Sequence, residues 1–407
     1  MKIIPLSVPN LCGQELQYIK ECINANWVSS SGEFVVDFEN AICKYTKAKF
    51  AVACINGTSG LHIALKVCGV GVGDEVIVPT LTFIASVNVV KYVGAEPVFM
   101  DCDDHLNIDC VKLSEFCSHE CRITKSGLRN KKTGRIIKAV IPVHVFGNPC
   151  DMEEIMKIAR QYRLKVIEDA TESLGSYYTV GAYKNRFTGT VSDVGVYSFN
   201  GNKIITTGGG GMIVTNNRLL AEKARYLTNQ AKDDPVAYIH NEIGYNFRLT
   251  NLQAALGLAQ LEQLGDFIKI KKHNYELYKK LLNGVCGVEI LNIPAGTAPN
   301  YWFYPLIINK NKFGLNKDAV MKDLQSKGIQ VRSIWYLNHL QRPYRKNQAY
   351  KIENALRLWK VILNLPCSTN LETRQVKYIT SVIQDLNRGN LFYGKTKKNN
   401  YKTGAIH

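Results

Sequence analysis

Lys203 follows the apolar run 193–199 by four residues, with the hydroxyl of Ser198 five positions upstream and four consecutive glycines, 208–211, just downstream. A lysine amine condenses with an aldehyde to a Schiff base, the chemistry that holds and unloads pyridoxal phosphate (PLP). A solvated surface amine is the ordinary alternative. A second apolar run, 163–169, ends in the carboxylates of Glu168 and Asp169. PLP chemistry needs a carboxylate against the pyridine nitrogen, because the anion keeps that nitrogen protonated and the ring able to accept electrons. Asp169 and Lys203 close different strands, and open α/β sheets gather functional groups at the carboxyl edge of their strands. One crevice could hold both.

Two further segments fit the same cofactor. The strand-like run 51–55 leads through Asn56 and Gly57 into Thr58, Ser59 and Gly60, then a helical pattern. A helix start rich in small residues offers free N–H groups and a positive dipole end to a phosphate. An N-cap by Thr58 or Ser59 explains the same residues without a ligand. Phe83 follows the strand-like run 75–79 and could lie flat on a pyridine ring, or simply fill a core.

The elements that must position these groups alternate β and α from about 50 to 215. Strand-like runs at 51–55, 75–78, 97–100, 137–143, 165–169, 194–199 and 211–214 predict a mostly parallel sheet covered on both faces. Before them come a helix over 12–25, a polar turn at 27–32 and a second helix. After them a long helical pattern, 249–282, bridges to a smaller α+β unit with strands near 288–291 and 301–308. The segment 125–132 reads as an exposed loop, and 178–187 as an exposed hairpin or loop. The expected boundaries are 1–250, 251–390 and a basic tail over 391–407 with too few apolar residues to order itself.

These motifs, in this order and over about 3–386, resemble the sugar aminotransferases of the DegT/DnrJ/StrS family within the fold-type I PLP enzymes. The resemblance implies a large α/β domain with a mostly parallel seven-stranded sheet and a smaller α+β C-terminal domain. It implies that Lys203 carries the cofactor and Asp169 faces the pyridinium nitrogen. Thr58, Ser59 and Ser198 then bind the phosphate and Phe83 stacks on the ring. The block from Gly244 to Ala255 resembles the one whose asparagine, here Asn246, reaches the cofactor of a neighbouring subunit, which implies a homodimer with shared active sites. Glu172 departs from the pattern, since glutamine or histidine is usual three residues after the aspartate. A carboxylate there repels a phenolate unless it is protonated or swung away. Family branches that dehydrate sugars replace the lysine with histidine, so Lys203 favours amino transfer.

The blocks 200–212, 230–235 and 335–341 look most like the branch serving legionaminic acid and bacillosamine-type sugars. That implies transfer of an amino group from L-glutamate to C4 of a nucleotide-linked 2-acetamido-4-keto-6-deoxyhexose, with UDP the expected carrier. A GDP-linked 4-keto-6-deoxymannose, as in perosamine synthesis, is the alternative. Trp27, Ser29, His240, Trp335 and His339 are candidate substrate contacts; satisfied polar groups at a seam, or core packing for Trp335, read them equally.

The 407 residues with 46% apolar content can build a large core, and no apolar run is long enough to span a membrane. With no export signal, a cytoplasmic location is expected, and the twelve scattered cysteines read as reduced thiols. Cys117, His119 and Cys121 lack a second ligand pair at metal-binding spacing, so no metal is expected. A net charge of +17 admits a regulatory or nucleic-acid-binding protein on a PLP fold. The charge is dispersed, however, without a groove-reading helix or an aromatic-basic RNA pattern.

Overall fold

The computed structural model describes residues 3–399 apart from Pro235, with side chains to 387. Seven strands form the centre of a large sheet: β1 (Phe50–Cys54), β2 (Asp74–Pro79), β3 (Glu96–Met100), β4 (Ile136–Val140), β5 (Lys165–Asp169), β6 (Val194–Ser198) and β7 (Gly211–Thr215). Their order is β3-β2-β4-β5-β6-β7-β1, and only β7 runs against the others. Alternate residues of one strand serve opposite cores. Val76 and Val78 pack with the helix Gly57–Val67, while Ile77 packs with the helix Met152–Tyr162. The fold is the mixed α/β architecture expected from the βα spacing.

Three short strands enlarge this sheet to ten. Ala349–Tyr350 pairs parallel with β3, and a hairpin of Cys121–Thr124 and Gly127–Asn130 adds to β4. Half of the expected loop at 125–132, residues 127–130, is therefore strand. Gly127 makes the turn at φ 125°, and buried Asn130 donates to Glu75 at 2.7 Å.

A second, antiparallel sheet contains Val288–Ile290, Tyr304–Ile308, Ile362–Leu365 and Arg332–Ser333. The expected single helix at 249–282 is two, Asn251–Glu262 and Leu264–Leu282. The first opens with a capping box between Thr250 and Gln253. Gln263 stands at the break, its amide donating to Glu15 and to the Ala259 carbonyl. The loop at 178–187 is tied at one end, where Tyr177–Tyr178 pairs with Thr297–Ala298. The N-terminal segment crosses to the second sheet's side, Ile4 bridging Ile329. Of the tail expected over 391–407, the backbone of 391–399 continues the helix Thr373–Asn399, and 400–407 lie outside the described residues.

Candidate active site

The carboxyl ends of β1, β2, β5 and β6 open into one cavity of about 570 Å³, closed from the other side by residues of the second sheet and its connections. Lys203, Asp169, Glu172, Thr58, Ser198, Phe83 and Trp335 all line it. The structure thus brings together seven of the residues singled out from sequence.

Strand alternation sorts the two carboxylates of β5. Asp169 turns to the cavity, where its Oδ2 accepts from Ser86 Oγ at 2.5 Å and its Oδ1 from the Thr171 N–H at 3.1 Å. Glu168 faces away, bonded to His144 Nε2 at 3.0 Å and to the N–H groups of Gly189, Val191 and Ser192. It staples a loop.

After β6 the chain turns so that the Lys203 N–H bonds to the Asn200 carbonyl at 3.0 Å. Lys203 Nζ lies 4.1 Å above the Trp302 ring and 3.6 Å from Glu172 Oε1. Burial lowers the pKa of this amine, although Glu172 and Asp169 pull the other way. Trp302 is fixed in turn by its indole N–H, which donates to the Asn202 carbonyl at 2.7 Å. Glu172 is buried, its Oε2 accepting the Phe146 N–H at 2.8 Å, and burial pushes its pKa up to about 7. Phe146 holds φ 57° and ψ 21° to present that N–H, a conformation that costs a bulky residue about 1–3 kcal/mol.

The helix Gly57–Val67 is capped by Asn56, whose Oδ1 accepts the Ser59 N–H at 2.7 Å. The cap is therefore neither Thr58 nor Ser59, and Ser59 packs behind the cavity wall rather than lining it. Gly57 and Thr58 line the cavity at the helix start, where first-turn N–H groups have no partner within the helix. Gly211 permits this approach, because a Cβ there would stand 2.6 Å from the Asn56 carbonyl carbon. Phe83 is half exposed beside Trp335, ring centroids 6.5 Å apart, and presents a free aromatic face.

The remaining candidates lie elsewhere. Trp27 and Ser29 are exposed. Asn246 is exposed and bridges Asn229, outside the cavity of its own chain. His240 bonds through Nδ1 to the Gln230 carbonyl at 2.9 Å. His339 shares a 2.6 Å hydrogen bond with Thr80. Sequence reasoning missed Ser86, Trp302 and Arg332, which reach the cavity from distant segments. Arg332 is exposed on the cavity lining and forms no ion pair among the described residues.

A phosphorylated pyridine aldehyde fits this donor set: a buried amine of lowered basicity, a carboxylate, a helix start with the hydroxyls of Thr58 and Ser198 beside it, and an aromatic face. The buried Thr82 hydroxyl, also on the lining, has no hydrogen-bond partner among the described residues.

The family model for DegT/DnrJ/EryC1/StrS aminotransferases matches residues 9–384. The chain belongs to this family. It is a PLP-dependent sugar aminotransferase, as the sequence motifs implied. A GDP-perosamine synthase of Escherichia coli O157:H7 is 38% identical over 386 residues, covering 95% of this chain and 99% of that one. A second, from Caulobacter vibrioides, is 37% identical over 94% of this chain and 98% of its own length. A DegT/DnrJ/EryC1/StrS aminotransferase from Brucella abortus superposes with TM-score 0.83 at 29% identity, covering 92% of this chain and 95% of that one. The two sequence relatives carry the name of the GDP-linked alternative, not of the legionaminic acid and bacillosamine branch that the sequence blocks resembled. Among the described residues no cluster of three or more His, Cys, Asp or Glu side chains could hold a metal, and no helix is long and apolar enough to cross a membrane.

Proposed function

We propose that this aminotransferase moves the amino group of L-glutamate to C4 of a GDP-linked 4-keto-6-deoxy sugar. The observation that carries the choice of carrier is the near full-length likeness to two GDP-perosamine synthases. It favours the GDP-linked alternative over the UDP-linked 2-acetamido sugar expected from sequence. Bound PLP supplies an aldehyde for the migrating amine and a ring that accepts an electron pair.

The chain's residues supply the rest. Lys203 Nζ, whose pKa burial lowers, takes a proton from the donor's α-carbon and later delivers one to C4 of the sugar. Asp169 holds a negative charge at a fixed point, oriented by Ser86 and Thr171. Thr58, Ser198 and the first turn after Asn56 bind the phosphate, and Phe83 covers the ring. Arg332 offers an unpaired guanidinium to a substrate anion. We assign Asn246 to the cofactor site of a partner subunit, which makes the working unit a homodimer.

Incubating the purified protein with glutamate and either GDP-linked 4-keto-6-deoxymannose or UDP-linked 2-acetamido-4-keto-6-deoxyglucose tests the reading. A kcat/KM at least about a hundredfold higher for the GDP sugar is expected. Preference for the UDP sugar would restore the first expectation.

A further inference from the structure

Glu172 is placed with more care than a filler side chain requires. One of its oxygens is committed to the Phe146 N–H, presented by a left-handed backbone that a bulky residue does not adopt without cause. Its backbone carbonyl is fixed by the buried Asn300 amide at 2.9 Å. The other oxygen, Oε1, is left facing Lys203 Nζ at 3.6 Å. The charged groups facing Glu172 are Lys203, from the turn after β6, and Asp169, at the end of β5. The 145–147 turn presents a backbone N–H, and the 300–302 segment presents an amide and an indole whose face lies under Nζ.

We propose that Glu172 is the proton partner of Lys203, a positioning residue whose Oε1 takes the proton that Nζ gives up and later returns it. In the transfer one N–H bond breaks and one O–H bond forms, and the pair stays neutral overall in both states. The separation is beyond a direct hydrogen bond, so Nζ must swing closer by about half an ångström. The resting pair is ionic, and with little solvent around it the exchange costs far less than in water, because neither the ammonium nor the carboxylate is well hydrated there. The raised pKa of Glu172 and the lowered pKa of Lys203 agree with it. The arrangement lets the lysine become a neutral amine without releasing a proton to solvent. It also gives the departure from the family's usual glutamine or histidine a task.

The inference rests on the proposed role of Lys203, and its test needs neither cofactor nor sugar, so its failure leaves the proposed reaction standing. Acetylation of Lys203 by acetic anhydride is followed by peptide mass spectrometry on cofactor-free protein across pH, in wild type and Glu172→Gln. The amide keeps an acceptor for Phe146 but cannot carry a negative charge. Losing the carboxylate should leave Lys203 more often neutral, so its labelling at about pH 7.5 rises by about tenfold, and the two proteins converge by about pH 10. Equal labelling at neutral pH would overturn the proposal, as would a ratio that stays constant with pH, which reports access rather than charge. If Glu172→Gln does not accumulate as folded protein, the wild-type titration decides alone. Two coupled steps, the lower near neutrality, are expected, and one simple step at the ordinary lysine value contradicts the pairing.

Discussion

Asp169 and Glu168 are neighbours in sequence with opposite duties, and the period of two along a strand is what separates them. The apolar run ending in two carboxylates was legible, as were Lys203 and its glycines, because each sits where a strand runs out. Trp302 and Ser86 were not, since nothing local in sequence shows that residues about a hundred positions from Lys203 and Asp169 will touch them. Replacing Lys203 with alanine should lower amino transfer by at least about a thousandfold, measured as 2-oxoglutarate release. It should also remove the near-visible absorbance of the loaded protein. Asp169→Asn keeps one oxygen to accept the Thr171 N–H, while its amide nitrogen can donate to Ser86 Oγ, and it loses the charge. We expect kcat to fall by about a hundredfold or more with the melting temperature little changed. A fall in stability matching the fall in rate would instead mark Asp169 as structural.

Among the elements, β7 shows how backbone proximity builds the site. The glycine run read from sequence as the neighbour of a lysine turn has a second purpose. Gly211 lets β7 pass against the turn that starts the helix Gly57–Val67, and Gly210 holds φ 142° beside Thr207. Gly211→Ala must push Asn56 aside and should destabilise the protein by about 1–3 kcal/mol, read as a lower denaturant midpoint. The second strand of the hairpin, 127–130, lies in the segment 125–132 read as a loop because its charges outweighed its alternation, and the side chain that fixes it, Asn130, donates to Glu75 and Gln348 and accepts the Lys132 N–H. The helix break at Gln263 has Gly265 two residues on, a weak signal inside an otherwise continuous apolar period.

Lys271, on the helix Leu264–Leu282, is buried with the carbonyls of Trp302 and Cys367 as partners, and burial lowers its pKa. The folded chain thus binds this proton less readily than the unfolded one, so Lys271 favours folding increasingly as pH rises toward its unfolded value of about 10.4. The stability of wild type relative to Lys271→Met should climb as pH rises toward that value; a flat difference would mean the amine titrates normally.

At the scale of the whole molecule the cavity lies between two sheets, and the N-terminal segment helps close it. Leu6 and Ser7 reach the lining, and the Val8 N–H bonds to Ser368 Oγ at 2.9 Å. The parallel sheet was legible from the spacing of apolar runs, whereas this closure depends on pairings more than 300 residues apart in sequence. The segment holding Val236, Tyr238, Ile239 and Ile243 exposes its apolar groups next to Asn246, as a subunit contact would require. If sites are shared, mixing inactive Lys203→Ala chains with Asn246→Ala chains should regenerate about a quarter of wild-type activity, from hybrid dimers holding one intact site. No recovery in confirmed hybrids would confine each site to one chain. The most direct test of the account is where the cofactor attaches. Borohydride reduction of the PLP-loaded protein followed by peptide mapping should place the pyridoxyl group on Lys203, and a pyridoxyl group on any other lysine would contradict it.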